Sequence, residues 1–377
     1  MRGYNKRAWA EIDLNKLERN VNIFRAGLLG DTELMTVVKA NAYGHGDRQI
    51  CAKLSELGIK YYGVITLDEG INARRTIKSG EILVLGYVPP EYAEEIAQYD
   101  LVQGVVSSEH ALRLSENAVN PVRCHIKIDT GMGRVGLKNK NYYECADEIE
   151  KITRMSKLRV EGIYTHYASA DSANENDIAF TNMQTEYILA VYNELCSRNI
   201  ILRHVHFLNS AGFFYHNSPK STLARIGINL YGLSTNYERD NGLNGLETFL
   251  ELKAEISQVK TIFKGDSVSY GRTFTAQDEM KIASLTIGYA DGYSRALSSK
   301  GEVLVHGVRC KVVGRVCMDQ LMLDVSGVPQ VKAGDIATLI GKDGDEEIRA
   351  DWLGSLYDTI PQEVVCGITS RVPRVYV

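Results

Sequence analysis

Apolar positions along this chain fall into two regimes. From Leu34 to about Leu230, short apolar runs alternate with stretches in which apolar residues recur every three or four positions. The runs Leu34–Val38, Tyr61–Ile65, Ile82–Leu85, Val102–Val106, Arg123–Ile128, Val160–Tyr164, His204–Leu208 and Ala224–Ile228 predict strands. The stretches between them, such as Ala52–Leu57, Asp68–Lys78, Ser108–Asn117 and Tyr142–Arg154, predict helices. Upstream, Trp9–Ile12 predicts a short strand. Asp13 is placed to cap a helix whose apolar face is Leu14, Leu17, Val21, Phe24 and Leu28. Eight strands separated by helices predict an α/β fold, an N-terminal (β/α)8 TIM-like barrel over residues 12–240. A doubly wound open sheet is the alternative, because periodicity does not show closure. Beyond residue 240 the runs Leu252–Ser257, Ser267–Tyr270, Lys281–Ile287, Glu302–Val305, Val308–Val313, Leu321–Val325 and Asp335–Ile340 are divided by turn residues. They predict a C-terminal β-rich domain, 241–377, which residues 1–11 join as a strand.

Composition narrows the function classes. The 377 residues suit roughly two domains. A net charge of -4 offers no basic surface for nucleic acid. No apolar run approaches the ~18 residues of a membrane span, and the polar start Met1–Arg7 is not followed by a signal-peptide core. Seven scattered cysteines without metal-ligand spacing point to reduced thiols in the cytoplasm and to no metal site.

In a barrel, catalytic groups gather at the C-terminal strand ends, and the polar residues here obey that rule. Lys39 ends the first strand; Asp129 and Arg134 follow the fifth and His166 the sixth. Asn209 and Ser210 follow the seventh, and Gly227-Ile228 ends the eighth. A lysine with an apolar strand behind it is partly desolvated, which lowers its pKa and makes its amine a nucleophile for a carbonyl. The plain reading of Lys39 is a surface lysine at a strand end.

Several motifs stand in order: Val38-Lys39-Ala40-Asn41-Ala42-Tyr43-Gly44-His45-Gly46, Lys127-Ile128-Asp129-Thr130-Gly131-Met132-Gly133-Arg134, Glu161-Gly162-Ile163-Tyr164-Thr165-His166, Asn209-Ser210, Arg225-Ile226-Gly227-Ile228, Val268-Ser269-Tyr270-Gly271, Ile287-Gly288-Tyr289-Ala290-Asp291-Gly292 and Gly314-Arg315-Val316-Cys317-Met318-Asp319-Gln320. With them the chain resembles the alanine racemase family of pyridoxal-phosphate enzymes over nearly its whole length. The resemblance implies a homodimer that interconverts L- and D-alanine and supplies D-amino acid for peptidoglycan. It implies that Lys39 holds pyridoxal 5'-phosphate as a Schiff base and is one of two catalytic bases. The opposing base is Tyr270 from the other subunit, with His166 beside that tyrosine and Arg225 beyond it, facing the pyridine nitrogen. Guanidinium only donates, so Arg225 cannot be the counter-ion of a protonated ring nitrogen.

The same resemblance places the phosphate among Tyr43, Ser210 and the backbone N–H groups of Gly227 and Ile228, with Asn209 alongside. Arg134 is directed to the cofactor's phenolic oxygen and the substrate. Cys317 and Met318 grip the substrate carboxylate from the partner subunit, and Asp171, Arg295, Arg315 and Ile368 line the access channel. By period two, His125, Lys127 and Asp129 share one side of a strand. Lys127 could then face Arg134, and two cations ~4 Å apart at an effective dielectric of ~20 repel by about 4 kcal/mol. In many family members the matching lysine is carbamylated, hence anionic; the plain alternative is Lys127 paired with Asp129. Read alone, Tyr270 is a strand tyrosine, Arg225 an ion-pair residue, Ser210 a loop serine, and the channel charges solvated surface.

One position departs from the family pattern. Many members carry a tyrosine just before the terminal Arg-Val-Pro-Arg motif, where this chain has Ser370 in Gly367-Ile368-Thr369-Ser370-Arg371-Val372-Pro373-Arg374. A serine widens the pocket and makes it more polar, and added room discriminates poorly against one extra hydroxyl. That raises the serine racemases of glycopeptide (vancomycin) resistance as an alternative. Those lie behind a membrane domain, so Met1 is either a natural start or the edge of an excised domain, and the chain could be the cytoplasmic part of a longer membrane protein. Barrel-only pyridoxal-phosphate-binding proteins lack the second domain, so Tyr270 and Cys317-Met318-Asp319 argue against them; nothing recommends a related decarboxylase. A tyrosine with an ordinary pKa near 10 ionises at pH 7 at a cost of about 4 kcal/mol, which neighbouring positive charge offsets in part. Activity is predicted to rise toward alkaline pH. A flat rate profile between about pH 6 and 9, with chemistry rate-limiting, contradicts a tyrosine base.

Overall fold

Strands of a parallel barrel are covered on both faces, so they read as continuous apolar runs rather than alternating ones. The computed structural model, which describes residues 7–234, 236 and 245–377, shows this for eight strands. They follow an N-terminal strand β1 (Ala8–Ile12) and are β2 (Glu33–Val37), β3 (Tyr61–Val64), β4 (Glu81–Val84), β5 (Leu101–Val105), β6 (Val122–Lys127), β7 (Leu158–Tyr164), β8 (His204–His206) and β9 (Leu223–Ile226). Their order is β8-β7-β6-β5-β4-β3-β2-β9, with every pair parallel. A parallel bridge between Leu208 and Ala224 joins the two ends, so the sheet curls into a barrel and is not an open doubly wound sheet.

Side chains from neighbouring strands pack against one another. One layer holds Met35, Tyr61, Leu83, Val102 and Leu223, with Leu85 against it. Gly104 leaves room for the Tyr164 hydroxyl, which a Cβ there would approach within 2.5 Å. Outside, the predicted helices form within a few residues of expectation, at Asp47–Glu56, Leu67–Thr76, Ser108–Asn117 and Tyr142–Thr153. Thr66 and Glu69 make a capping box at the start of Leu67–Thr76. The longest helix, Glu175–Ser197, has no counterpart in the apolar pattern. Its buried face begins with Thr181 and Gln184 before Ile188, Val191 and Leu195, so the first part of the stripe is polar.

The strand-rich part contains β10 (Leu250–Ile262), β11 (Ser267–Val268), β12 (Phe274–Thr275), β13 (Met280–Leu285), β14 (Glu302–Val305), β15 (Val308–Lys311), β16 (Leu321–Asp324), β17 (Ile336–Asp343), β18 (Glu346–Ile348) and β19 (Arg374–Tyr376). The main path is β15-β14-β17-β10-β1-β19. β1 lies antiparallel to β10 and parallel to β19. One strand was expected over Ser267–Tyr270, but it ends at Val268. Ser269 turns to φ +67° and its hydroxyl donates to the Arg315 carbonyl at 2.6 Å, so Tyr270 sits in a tight turn.

Two compact units result, and no single cut in sequence separates them. The β unit takes the chain up to Asn20, the tetrapeptide Tyr43–Gly46 and the chain from Tyr231 onward; the barrel unit takes Val21–Ala42 and Asp47–Leu230. Residues 1–6 and the expected boundary at 240/241 lie outside the described residues. No helix among the described residues is long and apolar enough to cross a membrane.

Within the β unit the segment Gly288–Gly292 is a hub. The Tyr289 and Ala290 amides donate to the carbonyls of Cys317 and Met318, each at 3.0 Å, and the Thr369 amide donates to the Asp291 carbonyl. The Asp291 carboxylate, fully buried, accepts from Arg7 and from the Gly288 amide and lies 3.4 Å from Arg371. Removing one side of a buried ion pair is costly because the rest stays desolvated. Asp291→Ala should lose about 2–4 kcal/mol of unfolding free energy, which denaturant titration measures. Arg7 is part-exposed, so the value should fall below that of a fully buried pair.

Candidate active site

Immediately after Lys39 the backbone does something L-residues avoid. Ala40, Asn41, Ala42 and Tyr43 have φ of 53°, 54°, 52° and 50°, one turn of left-handed helix. At 1–2 kcal/mol per residue this conformation costs roughly 4–8 kcal/mol, so the surroundings must impose it. Within the barrel unit the Ala40 amide donates to Glu69 Oε1 at 2.7 Å, the Ala42 amide to the Val38 carbonyl at 3.0 Å, and the Asp47 amide to Asn41 Oδ1 at 2.9 Å. Within the β unit Tyr43 packs its ring against Tyr231 at 5.0 Å between centroids. Gly44 has φ +81°, and a Cβ there would lie 2.2 Å from the Val365 carbonyl oxygen. Only glycine fits.

Charge is the second feature of the barrel's C-terminal end. Lys39, Lys127, Arg134 and Arg225 all act on His166, and with its burial they hold the imidazole well below its ordinary pKa, hence neutral. Lys127 is 5% exposed, and burial with Arg134, Arg225 and Lys39 lowers it to about 8. Arg225, 3% exposed, is lowered by burial to about 10 and stays cationic at neutral pH. Among the described residues none of Lys127, Arg134 and Arg225 has a carboxylate partner. The Lys127–Asp129 pair entertained from the sequence does not form. Asp129 Oδ1 instead accepts the amides of Gly131 and Gly133, each at 3.0 Å, because the chain turns sharply at these glycines. The opposite end of the barrel is the contrast: Arg123 meets Glu81, Asp100 and Glu161, and Arg203 meets Glu81.

Arg225 is held by neutral acceptors. It donates to the Thr165 carbonyl at 2.6 Å, to His206 Nδ1 at 2.9 Å and to His166 Nδ1 at 3.5 Å. Since His206 Nδ1 accepts, its Nε2 carries the proton and donates to His125 Nδ1 at 2.9 Å. The Tyr164 ring lies between two cations, Lys127 Nζ at 5.9 Å and Arg225 Cζ at 5.7 Å from its centroid, and His206 stacks on it. Sequence reasoning assigned neither Tyr164 nor His206. Alternation along β7 and β8 points both inward, but nothing in the local sequence says what they meet. The His166 loop is tied down by Gln184, which donates to Thr130 Oγ1 and to the His166 carbonyl. Ser210 Oγ accepts the Gly227 amide at 2.9 Å, bringing the serine and the glycine loop together, while Asn209 Oδ1 caps the next turn by accepting from Gly212.

The β unit gathers a different set. Ser269, Tyr270, Cys317, Met318, Asp319 and Gln320 line an open hollow of about 530 Å³. Tyr270 is 71% and Met318 52% exposed, a large uncovered area for an aromatic and a thioether. The Arg315 guanidinium flanks Gly271. Arg371, next to exposed Ser370, donates to Asp319 at 2.7 Å. Of the channel residues, Arg295 is exposed in a tight turn, Ile368 is buried in its own loop, and Asp171 belongs to the barrel unit.

Lys127 supplies a measurable consequence. A lysine whose pKa is lower folded than unfolded binds fewer protons folded, so stability rises with pH between the two values. From about 8 to the ordinary 10.5, the lysine should contribute at most about 3 kcal/mol, at ~1.36 kcal/mol per unit. In bicarbonate-free buffer, unfolding free energy should climb more steeply over this range for wild type than for Lys127→Met. Equal slopes would refute it.

Comparison with known proteins bears on these residues. The chain matches the family model of the alanine racemase N-terminal domain over residues 12–235 and that of the C-terminal domain over residues 249–376. It is 40% identical to the alanine racemase of Carboxydothermus hydrogenoformans over 98% of this chain and 99% of that protein, and 40% identical to that of Halothermothrix orenii over 98% and 96%. Among solved structures it resembles alanine racemase from Bacillus anthracis with bound L-Ala-P (TM-score 0.92, 34% identity, 100% of this chain and 96% of that one). It resembles alanine racemase from E. faecalis nearly as well (TM-score 0.91, 33% identity, 100% and 99%). The chain therefore belongs to the alanine racemase family, and with it to the amino-acid racemases.

Proposed function

We propose that this chain is a pyridoxal-phosphate-dependent racemase that interconverts L- and D-alanine as a homodimer, supplying D-amino acid for peptidoglycan. The observation that carries the reading is the cluster of Lys39, Lys127, Arg134 and Arg225 around His166, with the Asp129 carboxylate taken up by its own turn. Such a donor set fits a cofactor that brings a dianionic phosphate and an anionic phenolic oxygen. Ser210, the Gly227-Ile228 backbone, Tyr43 and Asn209 would hold the phosphate, Arg134 the phenolic oxygen, and Arg225 the ring nitrogen. When bound, pyridoxal phosphate withdraws electrons from the substrate and acidifies its Cα–H.

The protein's part is proton transfer on two faces. The Lys39 amine removes or returns the Cα proton on one face, and Tyr270 of the partner subunit does so on the other. The exposure of Tyr270 and Met318 in one chain suits residues that serve a second copy. Arg225, held by Thr165 and His206, donates without accepting and so leaves the ring nitrogen unprotonated. Neutral His166 receives a hydrogen bond from Arg225 and has its other nitrogen left for the tyrosine. Buried Lys127, without a carboxylate partner among the described residues, suits carbamylation, which would make it an anion able to orient Arg134.

Alanine as substrate is supported by the names of the relatives. Ser370 supports a second reading, acceptance of serine as in glycopeptide-resistance racemases, because the side chain there is small and polar. Wild type mixed with pyridoxal phosphate should develop a visible absorbance and racemise L-alanine, and Lys39→Ala should do neither. L-serine should be turned over as well, and Ser370→Tyr should lower serine relative to alanine about tenfold. Negligible serine turnover in both proteins would remove the second reading. An intact Lys127 without the added mass of CO2, together with activity indifferent to bicarbonate, would remove the carbamate.

A further inference from the structure

We propose that Glu69 is a positioning residue. Its carboxylate holds the backbone after Lys39 in the left-handed turn and so aims the Lys39 amine. The inference rests on the reading of Lys39 as the cofactor anchor. Glu69 looks at first like an ordinary helix cap, since its Oε2 accepts the amides of Ile65 at 2.8 Å and Thr66 at 3.3 Å, at the start of its own helix. Its Oε1 does something a cap does not need. It accepts the amide of Ala40 at 2.7 Å, from a segment 29 residues earlier in the chain. That amide is the first backbone donor after Lys39 and opens the run of positive φ.

Ala40 is exposed, so water can take its N–H if Glu69 is altered. The loss should therefore do little to global stability and much to the turn. Freed of its anchor, Ala40 relaxes toward the right-handed region that alanine prefers, and the Cα–Cβ bond of Lys39 swings with it. One carboxylate thus sets two features at once, the start of a surface helix and the direction of the lysine.

The test separates these two roles by the rate at which the apo protein, mixed with pyridoxal phosphate, gains visible absorbance, alongside its melting temperature. Glutamine keeps one oxygen where glutamate has two, so Glu69→Gln cannot serve Ala40 and the helix start together. It should gain the absorbance about tenfold more slowly than wild type, a change equivalent to one hydrogen bond. Thr66→Ala removes the other half of the capping box, Thr66 Oγ1 accepting the Glu69 amide at 3.2 Å, without touching Ala40. It should melt earlier yet gain absorbance at the wild-type rate. Glycine adopts the left-handed region freely, so Ala40→Gly added to Glu69→Gln should restore at least half of the lost rate. Should Glu69→Gln not fold, Glu69→Asp, one methylene too short for Ala40, takes its place. A wild-type rate in the Glu69 variant, an equal slowing in Thr66→Ala, or no rescue by Ala40→Gly each overturns the inference. A wild type that gains no Lys39-dependent absorbance overturns instead the reading of Lys39 on which it rests.

Discussion

Uncompensated positive charge is the condition around which the barrel end is arranged. Burying a cation without an anion is expensive, yet Lys127 and Arg225 are almost wholly buried and neither meets a carboxylate among the described residues. The barrel tolerates them by other means. Arg225 is surrounded by two carbonyls and two imidazoles, the Tyr164 ring lies near both cations, and Lys127 has a depressed proton affinity. These partners are weaker than carboxylates and leave the site electrically hungry. The ion pairs at the other end of the barrel show that the same chain has acidic residues to match its arginines where it uses them for stability alone.

Backbone strain is the companion condition. Four consecutive L-residues in the left-handed region follow Lys39, and they persist because contacts within each compact unit hold the residues that belong to it. The barrel unit supplies Glu69, Val38 and the Asn41–Asp47 contact. The β unit supplies Tyr231 against Tyr43 and the close packing at Gly44. Over-determination of this kind is what lets an unfavourable conformation stay populated.

Much of the fold was legible because parallel strands and amphipathic helices leave strong periodic signals. All eight barrel strands begin within two residues of the pattern-derived positions. The helix Glu175–Ser197 escaped because Thr181 and Gln184, which it buries, are polar and serve the His166 loop through hydrogen bonds rather than through apolar contact. The strand at Ser267 was drawn too long because an apolar-polar alternation does not register that Ser269 reverses φ. At the barrel's C-terminal end, Lys39, His166 and Ser210 stand out in the sequence by their place after apolar runs, and Arg225 by family resemblance alone. Glu69, Tyr164 and His206 were not, since their importance lies in which distant backbone or ring they meet.

The placement of β1 has a consequence for how the molecule is assembled. β1 is the first strand described in the chain, and its two neighbours come about 240 and about 360 residues later, in β10 and β19. On a ribosome the chain emerges from its N-terminus, and domains generally fold as units as they appear. Every barrel strand can find its partners before β10 has been made, whereas β1, with apolar Trp9, Ala10 and Ile12, must wait for β10 on one side and for β19 on the other. Loop-closure entropy of that span grows only slowly with length, so the delay costs time more than stability. The nascent chain thus carries an unfinished strand throughout synthesis, and a truncated product lacking β19 would keep that edge open for pairing with another chain.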